Sequence, residues 1–345
     1  MTLHLPDPGL RIEDRVVLVA LPPGYGQGSA PLPVDYLLSG YPGRPEDWFV
    51  SGHVTQVLDQ LVANRLSGYA VLVAPDVNGG QFTDSETLDA VGGAQVETWL
   101  TRDVVSAVEA RWPVLGDRGH RVLAGISSGG FAALNVGLRH QDEFGTLLAL
   151  EPYGGDPGNV TGRLLGGSTD LLHANSPSYY LPGLPLHRLL HVFLDVGSEG
   201  DTARVQDLGR LLSARAEDGV LRVEQGQGHT WFEAAAGLPY ALANAARWEG
   251  DPVLGQILPE SAFPLTHRDR YSLLLTQDAG SAEQQRACRR LTGGARTRRL
   301  PPRASIRSRA AHRPPSPPYP TGAPPAPAAA PSPLPHPTRP VVAAQ

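Results

Sequence analysis

The sequence is poor in cysteine and has no long hydrophobic run. Cys288 is the one cysteine among 345 residues, which excludes internal disulfides and any metal site built from several cysteines. No apolar run approaches the roughly 18 residues that a membrane-spanning helix requires. Residues 1–15 lack the positive region and the apolar stretch of a signal peptide. We therefore expect a soluble cytoplasmic protein, or an exported one if the N-terminus is incomplete.

Charge and composition divide the chain into unequal parts. Residues 281–345 contain eleven arginines, fifteen prolines and a single acid, whereas the whole chain has a net charge of −5. The remaining acidic part does not resemble a nucleic-acid binder. Since the proline- and arginine-rich stretch has too few apolar residues to form a core, we expect it to be a disordered tail. We expect a folded domain over 1–250 and an extension over 251–280 that packs on or near it.

Short β-rich runs alternate with amphipathic segments over the first 250 residues. The predicted strands are 16–21, 34–39, 70–74, 122–124, 146–150, 191–196 and 220–223, and the predicted helices begin near 54, 95, 128, 203 and 232. The first two strands are expected to open the sheet in antiparallel orientation. The stretch 76–94 is predicted to be a functional loop, and 154–185 a cap-like insertion. This alternation predicts an α/β fold with a mainly parallel sheet and helices on both faces.

A G-x-S-x-G motif lies between the fourth predicted strand and the helix that follows it. Gly125, Ser127 and Gly129 form this motif. A serine at such a sharp strand-to-helix turn has its hydroxyl exposed at the top of the sheet, and the glycines allow the backbones to approach closely. The N-terminus of the helix favours negative charge at the same place. Ser127 is therefore the predicted nucleophile.

In the chain order that is typical of this motif, the acid and then the histidine base follow the serine. His229 lies between the last predicted strand and the last predicted helix, where a loop can bring the imidazole onto the serine. The turn after the preceding strand contains Glu199 and Asp201. We prefer Asp201 as the acid and keep Glu199 as the alternative. Asp201 could equally be the N-cap of the next helix.

Two backbone N–H groups are expected to bind the oxyanion that forms when a serine attacks a carbonyl group. One belongs to Ser128, directly after the nucleophile. The other is expected from Tyr41, in a glycine- and proline-rich turn after the second strand. No His, Asp and Glu residues have the spacing of metal ligands, so we expect neither a metal nor a cofactor.

These residues resemble the esterase D-like serine esterases, a family that includes S-formylglutathione hydrolases, feruloyl esterases, enterochelin-type esterases and mycobacterial mycolyltransferases. The resemblance covers about residues 15–250. It depends on Leu21-Pro-Pro-Gly-Tyr25, Tyr36-Leu-Leu-Ser-Gly-Tyr41 with Trp48, Glu97-Thr-Trp-Leu-Thr101 before Asp103, the motif at 125–130 and Gly228-His-Thr-Trp231. It implies an α/β-hydrolase fold with Ser127 as nucleophile, His229 as base, an acid in the turn 199–201, and Tyr41 and Ser128 as oxyanion donors.

The chain departs from the family pattern at two positions. Ser39 replaces a histidine that often precedes the oxyanion glycine, and Gly200 occupies the position where relatives commonly have the acid. The second departure leaves the choice between Asp201 and Glu199 open.

Three functions are compatible with these residues. The first is hydrolysis of a carboxylic ester or thioester through an acyl-enzyme intermediate. The second is transfer of an acyl group to a sugar hydroxyl, and the third is a catalytically silent binding module on the same fold. The expected partner is a small-molecule or glycan ester, with no nucleic acid and no transmembrane segment. The oligomeric state and the identity of the ester are left open.

Overall fold

The structure is a computed structural model that describes residues 1–158, 161–215 and 218–249, together with a two-residue strand at 273–274. Apart from that strand, the predicted extension over 251–280 and the predicted tail over 281–345 lie outside the described residues.

The described residues form one mixed sheet of nine strands. The strands are β1 (Thr2–His4), β2 (Val16–Ala20), β3 (Val34–Leu38), β4 (Val71–Pro75), β5 (Arg121–Ile126), β6 (Thr146–Leu150), β7 (His191–Gly197), β8 (Asp218–Glu224) and β9 (Leu273–Leu274). Their order in the sheet is β1-β2-β4-β3-β5-β6-β7-β8-β9. The six strands from β4 to β8 in this order are parallel, whereas β1, β2 and β9 pair antiparallel with their neighbours.

Helices connect these strands. They are α1 (Asp47–Val50), α2 (Val54–Ala63), α3 (Val96–Thr98), α4 (Val105–Arg111), α5 (Ser128–Arg139), α6 (Thr161–Leu164), α7 (Thr169–Ala174), α8 (Pro177–Tyr180), α9 (Thr202–Ala214) and α10 (Trp231–Trp248). A π-helical stretch, Trp99–Val104, joins α3 to α4. Short 3-10 turns cover Pro8–Leu10, Arg118–His120 and Leu181–Gly183.

The two faces of the sheet have separate hydrophobic cores. Alternate residues of β3 point to opposite faces, so that Tyr36 belongs to one core and Leu37 to the other. Side chains of α4, α5 and α9 cover the first face, and those of α2 and α10 cover the second. Strands β3 to β6 are buried along their whole length, as parallel strands covered on both faces are. The fold confirms the predicted α/β class and the α/β-hydrolase arrangement that the resemblance implied.

The structure differs from the sequence prediction in the opening strands. β2 and β3 run in opposite directions, but β4 lies between them, so they do not pair with each other. The additional strand β1 pairs with β2 along the edge of the sheet. No helix in the described part of the chain is both long enough and apolar enough to span a membrane.

Candidate active site

Ser127 lies in the sharp turn between β5 and α5. Its φ is 57° and its ψ is −121°. Residues other than glycine rarely adopt this backbone conformation, which costs about 1–3 kcal/mol. A Cβ on Gly125 would collide with the carbonyl oxygen of Gly129, and one on Gly129 would collide with that of Leu38. Both positions therefore require glycine, because the backbones approach too closely for any side chain. The turn projects the Ser127 side chain from the carboxyl edge of the parallel strands.

The histidine that follows β8 reaches this serine. The Nε2 atom of His229 lies 2.8 Å from the Oγ atom of Ser127, although the two residues are 102 positions apart in the chain. The adjacent Thr230 caps α10, since its Oγ1 atom accepts a hydrogen bond from the N–H of Glu233 at 3.3 Å. Trp231 packs edge-on against Trp48 with the ring centroids 5.4 Å apart. The loop that carries the imidazole is therefore anchored on its C-terminal side.

The carboxylate beside His229 belongs to Glu151, directly after β6. Its Oε2 atom lies 3.2 Å from the Nδ1 atom of His229, at an ion-pair distance although without hydrogen-bond alignment. Its Oε1 atom accepts a hydrogen bond of 2.6 Å from the N–H of Gly197. Glu151 is fully buried, and its φ of 47° turns it out of the strand direction. These contacts place a hydroxyl, an imidazole and a buried carboxylate next to one another.

Among the described residues, neither of the two acids expected from the sequence forms a hydrogen bond or an ion pair with His229. Asp201 is at the N-terminus of α9, where its Oδ2 atom accepts a hydrogen bond of 2.8 Å from the N–H of Gly154. Glu199 is exposed, and its N–H donates to the carbonyl of Gln227 at 2.8 Å. The turn supports the histidine loop through that bond, and Gly197 at the end of β7 holds Glu151.

Both expected oxyanion donors lie near Ser127. Tyr41 lines the same cavity as Ser127, and the N–H of Ser128 begins α5. In the described part of the chain neither N–H has an acceptor of its own. Asn78 fixes the loop before Tyr41, since its Nδ2 atom donates to the carbonyl of Gly40 at 3.0 Å. The two N–H groups are therefore free to meet a substrate oxygen.

A cavity of about 220 Å³ opens over the serine. It is lined by Gly40, Tyr41, Pro42, Ile126, Ser127, Glu151, His229, Thr230 and Trp231. The volume accommodates a small acyl group or a ring. Within the described residues, no group of three or more His, Cys, Asp or Glu side chains is arranged to hold a metal ion.

The contact of Glu151 with His229 was not among the sequence predictions, although the sequence contains a signal for it. Glu151 directly follows the predicted strand 146–150, which neighbours the serine strand in a parallel sheet. The carboxyl ends of such strands meet at one edge, so an acid there is a candidate for contact with the histidine. The choice of the turn 199–201 followed the commoner position of the acid instead.

Comparison with known proteins gives a family match. The family model described as "Putative esterase" matches residues 12–230. An uncharacterized protein of Corynebacterium glutamicum is 30% identical over 162 residues, which is 46% of this chain and 38% of that protein. The chain thus matches less than half the length of this curated relative.

Solved structures of similar fold cover most of the described chain. A ferulic acid esterase is 26% identical, with a TM-score of 0.63 over 72% of this chain and 98% of that one. An S-formylglutathione hydrolase from Agrobacterium tumefaciens is 16% identical, with a TM-score of 0.60 over 72% and 94%. A fluorophosphonate-binding serine hydrolase of Staphylococcus aureus, FphF, is 15% identical, with a TM-score of 0.57 over 71% and 96%. The last two likenesses show the fold alone.

Proposed function

Because the chain belongs to the esterase family whose model it matches over residues 12–230, we propose that it is a serine hydrolase that cleaves carboxylic esters or thioesters. The observation that carries this proposal is the 2.8 Å contact between Ser127 Oγ and His229 Nε2, with Glu151 on the other nitrogen of the ring. In this proposal the catalytic residues are Ser127, His229 and Glu151.

The reaction begins when His229 Nε2 takes the proton of Ser127 as the serine oxygen attacks the carbonyl carbon of the ester. The carbonyl oxygen becomes an oxyanion and accepts hydrogen bonds from the N–H groups of Tyr41 and Ser128. His229 then gives its proton to the leaving oxygen or sulfur, and an acyl-serine ester is left. Water, activated by His229, releases the acid and regenerates the serine.

Glu151 has two functions in this mechanism. As a buried anion it stabilises the positive imidazolium that forms during each half-reaction. It also favours the tautomer that has a proton on Nδ1, which leaves Nε2 free to accept the serine proton. The bond from the Gly197 N–H holds one carboxylate oxygen, so that the other stays directed at the imidazole.

The substrate class is proposed from the cavity and from the family. The cavity over Ser127 has an aromatic wall at Trp231 and a half-exposed aromatic ring at Tyr41, which suits a small acyl or aryl group. A feruloyl ester and S-formylglutathione belong in the substrate panel, because similar structures include a ferulic acid esterase and an S-formylglutathione hydrolase.

The test is hydrolysis of a panel of p-nitrophenyl, feruloyl and glutathione esters by the wild-type chain and by Ser127→Ala. We expect the substitution to lower kcat/KM by about 10⁴-fold or more without lowering the melting temperature. Ser213→Ala, at an exposed serine on α9, is the matched control and should keep full activity. The wild type should also react with a fluorophosphonate probe. A folded wild type that neither hydrolyses an ester nor reacts with the probe would instead be a silent binding module.

A further inference from the structure

Three buried carboxylates lie together behind the proposed acid. Glu151 follows β6, Asp195 is in β7 and Glu233 is in the first turn of α10, and each is fully buried. Arg222 of β8 is the buried cation beside them, with 8% of its surface exposed. We call these four residues the buried carboxylate cluster.

The hydrogen bonds of this cluster leave four carboxylate oxygens without a partner. Asp195 Oδ1 accepts a bond of 2.8 Å from Arg222 Nη1, and the same nitrogen lies 3.6 Å from Glu233 Oε1. Among the described residues, no hydrogen bond is made by Glu151 Oε2, Asp195 Oδ2 or either carboxyl oxygen of Glu233. Four buried oxygens without a hydrogen bond lower the stability of the fold. A proton shared between two of the carboxylates removes part of this cost.

The charges of the cluster also indicate that it binds a proton. Arg222 also pairs with Glu224, so one guanidinium faces three acids, Asp195, Glu224 and Glu233. Three adjacent buried carboxylates cannot all be ionised at neutral pH, because neighbouring negative charges in a low dielectric repel strongly. A hydrogen bond with Glu151 is among the causes that raise the pKa of Glu233, and one with Glu233 is among those that lower the pKa of Asp195. Glu233 is therefore the member that has a carboxyl O–H to donate to a neighbouring carboxylate.

We propose that Glu233 is a positioning residue that stays neutral and donates its carboxyl O–H to Glu151, which holds Glu151 as an anion directed at His229. This inference rests on the proposed esterase function, because it assigns Glu151 to the catalytic residues. Glu233 touches neither substrate nor serine and would act only through Glu151.

The electrostatic environment supports a protonated Glu233. Burial raises the pKa of Glu233 far above its usual value, and the charges of Asp195 and Glu151 raise it further, against an opposing effect of Arg222. Burial also raises the pKa of Asp195, but the pairing with Arg222 counteracts the rise. The charged groups that face Glu233 are thus Glu151, Asp195 and Arg222, with Glu224 and His229 beyond them. Of the two acids Glu233 and Asp195, Glu233 therefore binds the proton more strongly.

Two substitutions separate a neutral donor from a charged partner of Arg222. Glu233→Gln keeps the shape and an N–H donor without a charge, so kcat should stay within about 3-fold of the wild type. Glu233→Met keeps the volume and removes the donor, so kcat should fall by about 10–100-fold with little change in KM, as for other residues that orient a catalytic group. If Gln is as damaging as Met, Glu233 acts as an anion and the proposal is wrong. If Met retains full kcat, the positioning function is excluded.

Infrared spectroscopy tests the proton itself and does not depend on catalysis. The difference spectrum between the Ser127→Ala chain and the Ser127→Ala/Glu233→Gln chain should show the C=O stretch of a protonated carboxylic acid at pH 7. Absence of that band would overturn the proposal even if the protein hydrolyses esters. Conversely, the band would persist even if the protein cleaved no ester. Failure of the proposed esterase function is therefore distinguishable from failure of the Glu233 proposal. This measurement also serves if Glu233→Met does not fold.

Discussion

Replacement of Glu151 by glutamine tests the assignment of the acid. In the wild type, Glu151 Oε1 accepts the Gly197 N–H and Oε2 faces His229 Nδ1. A glutamine that keeps the Gly197 bond with its oxygen must turn its NH₂ group toward Nδ1. Two donors then face each other, so the imidazole is forced to move its proton to Nε2. That tautomer cannot accept the proton of Ser127.

The loss of the Glu151 charge determines how far kcat should fall. Two unit charges 3.2 Å apart attract by about 5 kcal/mol at an effective dielectric of about 20. The His229 side chain is 47% exposed, so water screens part of this attraction and about 4 kcal/mol is a reasonable expectation. At about 1.4 kcal/mol per tenfold change, kcat should fall by about 10³-fold.

The assay is steady-state hydrolysis of a short-chain p-nitrophenyl ester, with Asp201→Asn and Glu199→Gln as matched controls. Both controls remove a carboxylate charge from the turn that the sequence favoured, and both should keep kcat within about 3-fold. The reasoning is refuted if Asp201→Asn loses about 10³-fold while Glu151→Gln keeps its activity. Circular dichroism and the melting temperature show whether each variant remains folded.

Two further predictions concern the loop that carries Tyr41 and the long loop after β4. Gly40→Ala should lower kcat by about 10²-fold, because its Cβ would lie 2.9 Å from the Cβ of Ser127 and would displace the adjacent N–H donor. Gly26→Ala, with open space around it, is the control, and equal activity of the two variants would contradict the loop assignment. Burial raises the pKa of Glu86 to about 8, so the folded chain binds more protons than the unfolded chain between pH 4.5 and 8. The free energy of unfolding should therefore fall by up to about 1.4 kcal/mol per pH unit through that range. Glu86→Gln should reduce this slope in denaturant titrations, whereas Asp59→Asn, at an exposed position, should not.

Local patterns predicted the parts of the fold that depend on neighbouring residues. The strand and the helix around Ser127 were identified from the spacing of their apolar residues. The turn between them was identified from its glycines, which such a sharp turn requires. The approach of His229 to Ser127 was expected from chain order, and the structure brings the two side chains together. The π-helical stretch Trp99–Val104 was not anticipated, because its sequence has the same apolar spacing as an ordinary helix.

The strand order and the acid depended on long-range contacts that periodicity does not encode. Nothing in the two opening runs indicates that β4, which comes later in the chain, lies between them. Similarly, the sequence offers acids after both β6 and β7, and only the packed sheet shows which of them reaches the imidazole. The β6 acid is at the end of the strand adjacent to β5, which ends at Ser127. The acids of the turn after β7 lie one strand further away.

The position of Glu151 explains why the rest of the cluster is needed. A carboxylate that balances an imidazolium is most effective when it is shielded from water, but burial of the charge is itself costly. At Glu151 part of this cost is offset by the Gly197 N–H. The adjacent strand places Asp195 close by as a second negative charge, which Arg222 compensates. A neutral Glu233 then supplies the remaining donor to Glu151 without placing a third negative charge beside it.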